Sequence, residues 1–329
     1  ESTEAASSEA ATEAATATAA AITPPTEGGK VKKLAFFGFW KTNSFTQAAA
    51  AAVKAEAEAL GIEFVDLTGP AYDGVAQVKA IQDETVKGDA QVYVILATDP
   101  VGAGSAAAEA TAKGITVVAM FTPFGGKFDT LEPQVPGTYV VGETPVDNGK
   151  VLGELAAKAC TDKALSPCNV AYLQGLKTLP LDNARTDAFK AALAANAPDA
   201  KLVADPEGGY APDTGQKAAQ DVLQAHPDVN VMVGSSQAII GAAKAVDTAK
   251  VALIGNGSSK EAFAGVNDGT WYGLYYMDLT GLGTTSVDVG VLAANGQNPP
   301  TSFNTQTLHD PHGTKDVLAD VQPVYSDLG

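Results

Sequence analysis

The chain has 329 residues, long enough for two domains, and its 45% apolar content is ordinary for a globular protein. Its 38 acidic and 21 basic residues leave a net charge of −17, which argues against nucleic acid or an anionic membrane surface as a partner. No run approaches the ~20 apolar residues of a membrane span.

Residues 1–29 repeat Ala, Thr, Glu and Ser, end in Pro-Pro and Gly-Gly, and hold one large apolar residue, Ile22. Such a stretch buries too little surface to offset ordering, so a disordered tether is expected over 1–30, with a frayed alanine-rich helix as the alternative. Residues 33–60, KLAFFGFWKTNSFTQAAAAAVKAEAEAL, then run a buried strand into a polar-aromatic loop and an alanine-rich helix. Trp40, Asn43 and Phe45 fall at that strand's carboxyl end, where ligands bind in open α/β sheets. Asn43 offers hydrogen bonds, while Trp40 and Phe45 offer flat apolar faces. The plainer reading makes Asn43 an N-cap and Phe45 core.

Farther along, strand-length apolar runs alternate with helix-period segments. Strands are expected at 34–38, 63–67, 91–97, 116–121, 169–173, 201–204, 229–233, 251–254 and 271–277. Helices are expected at 44–60, 72–87, 102–113, 147–160, 181–196, 213–225, 237–246, 259–268 and 282–295. This βαβα order predicts an α/β fold of parallel sheets covered by helices on both faces, and the run is too long for one sheet. Gly and Pro concentrate over 123–142, where helix period is lost and the halves divide. Asp147 is placed to cap the next helix. From Pro299 the chain reads as a long return segment that straps the lobes together.

Cys160 and Cys168, the only cysteines, flank TDKALSP and fit a short-loop disulfide in an oxidising compartment, with reduced thiols in a cytosol as the alternative. Catalytic motifs are scarce. The histidines are His226, His309 and His312; the last two form HDPH, whose proline disfavours the helix that would align two ligands, so no metal is assigned. Gly-x-Ser-x-Gly, HExxH and the phosphate-binding GxxxxGK[ST] are absent. Gly102-Ala-Gly104-Ser-Ala-Ala107 approximates a dinucleotide fingerprint, but four residues separate it from its strand and no acid ends the next one. No cofactor and no catalytic residue are therefore assigned.

A coherent constellation gathers at strand ends and helix starts from both halves. Asp99, Phe121 and Thr122 lie in the first; Arg185, Tyr210, Ser236, Gln237, Asn256, Met277 and Asp278 lie in the second. Arg185 can fork to vicinal hydroxyls or a carboxylate, or instead make a surface salt bridge with Asp182 or Asp187.

The phrases LQG…ARxxAF, AHPDVN and IGNGS…VNDG, in that order between about Lys30 and Gly296, resemble the periplasmic sugar-binding proteins of ribose-binding type. The resemblance implies two Rossmann-like lobes joined by a three-segment hinge, which close over a monosaccharide and deliver it to an ABC permease without catalysis. The lobes expected are 31–142 with about 279–305, and 143–278 with about 306–329. Ligand contacts carried over by position fall on Asn43, Phe45, Arg185, Tyr210 as a stacking aromatic, and Asn256 in place of the family's usual Asp. Ser236 replaces a common Asn, Phe121-Thr122 replaces an Asp-Arg pair, and Met277 or Asp278 replaces a Gln. These departures imply a pocket more apolar and aromatic than a pentopyranose site.

The function expected is an extracytoplasmic solute-binding protein, a monomer, for a small neutral sugar or sugar alcohol. Trp40, Phe45 and Tyr210 would pack on C–H faces while Asn43, Arg185, Asn256 and Asp278 engage hydroxyls. A sensing receptor of the same fold is the alternative, followed by a nucleotide- or phosphosugar-dependent enzyme. A lipidated Cys ahead of Glu1, as in relatives of this family, would anchor the tether.

Overall fold

The computed structural model describes residues 22–329 and contains two six-stranded sheets. The first holds β1 (Lys33–Phe37), β2 (Glu63–Asp66), β3 (Val92–Ile95), β4 (Thr116–Phe121) and β5 (Thr138–Gly142). The second holds β6 (Asn169–Leu173), β7 (Lys201–Ala204), β8 (Val231–Ser235), β9 (Ala252–Asn256) and β10 (Gly273–Tyr275). Late in the chain β11 (Ser302–Asn304) returns to the first sheet and β12 (His312–Gly313) to the second. The orders are β11-β5-β4-β3-β1-β2 and β12-β10-β9-β8-β6-β7, and every pairing is parallel except β10 with β12. Central strands such as β3 and β8 are buried throughout, and apolar but for Ser235 at the end of β8, as strands covered on both faces must be.

Helices α1 (Ser44–Ala59), α2 (Gly74–Lys87) and α3 (Pro100–Ala112) cover the first sheet. Helices α4 (Pro145–Asp162), α5 (Pro180–Asn196), α6 (Pro212–Ala225), α7 (Ser236–Ala242) and α8 (Lys260–Asp268) cover the second. Helix α9 (Leu279–Ala294) follows β10 yet packs on α1, β3 and β4. The chain therefore passes between the sheets three times: from β5 to α4, from β10 to α9, and from β11 to β12.

Several expectations need correction. Residues 138–142, read as irregular, form β5 in register with β4 from Val117↔Thr138 to Phe121↔Gly142. The preceding Gly and Pro residues obscured a short β-branched run. Thr144, not Asp147, caps α4: its Oγ accepts from Asp147 N at 2.9 Å and donates to the Asp147 carboxylate at 2.7 Å. Helices α2, α3 and α9 are capped by Asp73, Asp99 and Asp278, so the expected starts at 72, 102 and 282 shift to the residue after each acid. The return segment carries two short strands and a 3₁₀ turn over Thr305–Leu308.

Most of the expected tether, 1–21, lies outside the described residues; 22–30 is docked. Ile22 packs against the core, Gly28 N donates to Leu60 O at 2.9 Å, and Asn295 accepts from Lys30 N at 2.8 Å.

Two features fix the second sheet's flanking helices. Cys160 near the end of α4 is disulfide-bonded to Cys168 beside β6, with Cα atoms 5.7 Å apart. Gly149 and Gly153 let α4 press against α5, since a Cβ at Gly149 would lie 2.1 Å from Arg185 O and one at Gly153 2.6 Å from Phe189 O. Only glycine permits so close a helix crossing, and it sets where Arg185 stands.

Candidate functional site

A cavity of about 100 Å³ lies between the sheets at the carboxyl ends of their strands. That is room for several waters, hence for a small solute. Its two walls differ in chemistry.

The first wall is aromatic. The loop after β1 supplies Phe39, Trp40 and Asn43, the first turn of α1 supplies Phe45, the loop before α2 supplies Tyr72, and β4 ends in Phe121. Phe45 meets Phe121 edge-on at 5.4 Å and stacks on Phe39 at 6.3 Å, while Trp40 meets Tyr72 edge-on at 5.3 Å. These are the separations at which aromatic pairs attract, so the rings hold one another in place before any ligand arrives. Phe121 has φ 78°, a left-handed conformation uncommon for a bulky residue and found where a site over-determines the backbone. Asn43 has both roles the sequence left open: its Oδ1 caps α1 by accepting from Thr46 N at 2.9 Å, and the residue still lines the cavity.

The second wall is polar at its centre. Arg185 Nη1 donates to Asp182 Oδ1 at 2.5 Å and to Tyr210 Oη at 3.2 Å, and Tyr210 Oη donates to the same Asp182 oxygen at 2.7 Å. Asp182 Oδ2 accepts from Leu176 N at 2.8 Å. The bridge weighed as a surface pair is thus buried, with Arg185 only 5% and Asp182 only 2% exposed. Burial works against the Arg185 charge, but Tyr210 and Asp182 outweigh it and raise its pKa. Burial, reinforced by Asp182, also pushes up the phenols of Tyr72 and Tyr210, which stay protonated. Arg185 Nε is buried and has no hydrogen-bond partner.

Ser236, Gln237, Asn256 and Met277 complete the lining among the residues foreseen in the sequence. Asn256 exchanges two amide hydrogen bonds with Asn148, each 3.1 Å. Asp99, Thr122 and Asp278 do not reach the cavity. Asp99 and Asp278 spend their carboxylates on the helix starts they cap, accepting from Val101 N and Gly281 N at 3.0 Å, and Thr122 is buried. Lining residues that sequence reasoning missed include Phe39, Tyr72, Leu179, Leu181, Gly257, Ser258, Tyr275 and Tyr325. Phe39 was visible in the same loop as Trp40; Tyr72 was hidden by a helix start drawn two residues early; Tyr325 lies beyond any βα repeat.

Away from the cavity, His312 sits between Glu154 and Asp310, at 2.9 and 2.8 Å. No group of three or more His, Cys, Asp or Glu among the described residues is arranged to hold a metal ion.

Two α/β sheets crossed three times, with a small cavity between facing strand ends, define a two-lobed solute-binding protein. The chain belongs to the periplasmic binding protein family, whose domain profile matches residues 34–298. The family implies an extracytoplasmic location, and no helix among the described residues is long and apolar enough to cross a membrane. No curated protein matches the chain in sequence.

Solved structures share the fold. A carbohydrate transporter solute-binding protein from Agrobacterium Radiobacter, in complex with D-arabinose, superposes with TM-score 0.76 at 18% identity, over 88% of this chain and 96% of that one. The Caulobacter myo-inositol binding protein, bound to myo-inositol, gives 0.73 at 19% identity over 86% and 94%. An ABC transporter solute-binding protein from Mycobacterium smegmatis, with bound glycerol, gives 0.68 at 26% identity over 83% and 92%.

Proposed function

We propose that the protein binds a small neutral carbohydrate or sugar alcohol outside the cell membrane and hands it, as a monomer, to an ABC permease. The observation that carries this is the pairing of the two walls. Five aromatic rings face a network whose only cation, Arg185, is already matched by Asp182 at 2.5 Å. An anionic ligand would compete with Asp182, and a cationic one would face Arg185. A neutral polyhydroxy compound satisfies both walls: its C–H faces lie on the rings and its oxygens accept from Arg185 Nε and the amides of Asn43 and Gln237.

The ligands of the three structures above have this chemistry in common. The predicted contacts Trp40, Asn43, Phe45, Phe121, Arg185, Tyr210, Ser236, Gln237, Asn256 and Met277 supply it here, together with Tyr72 and Phe39. Anchorage through a lipid ahead of residue 1 fits the low-complexity segment that precedes the docked residues, and mass spectrometry of the native N-terminus reads it directly.

Titration calorimetry against pentoses, hexoses and sugar alcohols tests the proposal. One or more should bind with micromolar or tighter affinity, and a panel without any binder overturns it.

A further inference from the structure

The last segment of the chain takes part in the cavity and in the contact between its walls. Tyr325 is buried and lines the cavity, with its Oη accepting from Ser258 N at 3.1 Å and its carbonyl accepting from Lys260 N at 2.8 Å. Ser326 Oγ donates to Glu261 Oε1, and Asp327 N donates to Glu261 Oε2 at 2.8 Å. These contacts fasten residues 325–327 to the second sheet's side of the cleft.

From that anchorage Asp327 reaches across. Its Oδ1 accepts from Ser44 Oγ at 2.6 Å and from Gln237 Nε2 at 2.9 Å, and its Oδ2 accepts from Ser236 Oγ at 2.6 Å. Ser44 is the first residue of α1, which packs with the first sheet; Ser236 and Gln237 open α7 on the second. One carboxylate therefore joins both walls, and two of its three donors are cavity-lining residues. All three donors are neutral and the side chain is half-buried, so water can replace the Ser44 contact when the walls part.

We infer that Asp327 is a positioning residue that latches the cleft: it orients Ser236 and Gln237 toward the solute and biases the two lobes toward closure. This deepens the binding role proposed above. Loss of the latch opens the ligand-free protein and shortens the residence of bound solute, because a ligand gains most from a protein already held in its binding-competent form.

The test uses the full chain with its disulfide intact and nitroxide labels at Val75→Cys and Lys217→Cys, exposed positions on α2 and α6. Pulsed electron resonance reads the distance between lobes without ligand. Asp327→Ala should lengthen and broaden the distance by several ångström at unchanged melting temperature, with Ser44→Ala giving a smaller shift in the same direction. A role in folding alone would lower the melting temperature and leave the distance as it was. Distributions that coincide with the parent overturn the latch. Should Asp327→Ala fail to fold, Ser44→Ala decides, since it removes one hydroxyl and leaves the tail's anchorage untouched. Adding D-arabinose or myo-inositol to the parent tests the binding role separately. A melting-temperature rise with either sugar supports that role, only the full panel without a binder overturns it, and the ligand-free distances decide the latch in both cases.

Discussion

Tyr275 donates its phenolic hydrogen to Glu143, joining two of the three places where the chain passes between the sheets. Gln306, in the third passage, donates to the same phenolic oxygen. The three connections thus meet at one hydroxyl. Glu143 is 1% exposed, and its second carboxylate oxygen has no partner.

Burial pushes Glu143 up to about 8 from its ordinary 4.5, with Tyr275 and Arg185 opposing the shift only in part. The folded chain therefore keeps a proton that the unfolded chain releases above about 4.5. Its stabilisation is full below that pH and is lost as pH rises toward 8, on the order of a few kcal/mol. Asp288, raised to about 7 mainly by burial, acts in the same direction. Glu143→Gln mimics the protonated form, so urea unfolding at pH 5 and pH 9 should show a smaller pH dependence in the variant than in the parent.

Arg185→Lys keeps the charge beside Asp182 but removes the unpartnered Nε. Solute affinity should fall about 10- to 100-fold, the worth of a hydrogen bond from a charged donor. Arg185→Met should also destabilise the fold by about 3–5 kcal/mol, because Asp182 is left charged and buried. Calorimetric titration with the sugar found in the panel, alongside urea unfolding, separates the two effects.

Gly149→Ala drives a methyl group against Arg185 O and forces α4 and α5 apart. The expected cost is about 1–3 kcal/mol of stability. Affinity should fall as well, since Arg185 rides on the displaced helix. Unchanged affinity in a folded variant would show that the position of α5 is not critical to the site.

Reducing Cys160–Cys168, which closes a loop with a sequence separation of 8, should lower stability by about 2–3 kcal/mol. Neither cysteine lines the cavity, so affinity should stay within two-fold of the oxidised protein. Thermal melts and titrations with and without a reductant check both.

The alternation of apolar runs and helix-period segments made the layered α/β architecture legible, because parallel strands buried on both faces carry an unbroken apolar signature. Residues at the cavity were legible where they end such a strand, as Phe121 and Asn256 do, or fall between β1 and the first turn of α1, as Trp40, Asn43 and Phe45 do. Acids at the same junctions misled, since Asp99 and Asp278 serve the helix that follows rather than the cavity. The very short strands β11 and β12, and Tyr325 and Asp327, carry no local periodicity. Their places depend on contacts with residues far away in sequence, and no window along the chain contains both partners.

The left-handed turn at Phe121 has a consequence for redesign of the cavity. A Cβ on Gly142 would lie 2.2 Å from Phe121 O, so position 142 accepts no larger side chain without moving β4. Position 121 is the opposite case: glycine or asparagine adopts its backbone geometry readily, and its side chain projects into the cavity wall. Solute preference can therefore be altered by exchanging this ring for glycine or asparagine while the strand pairing beneath it stays intact, which sets a residue with a short list of replacements against a fixed one across a single backbone contact.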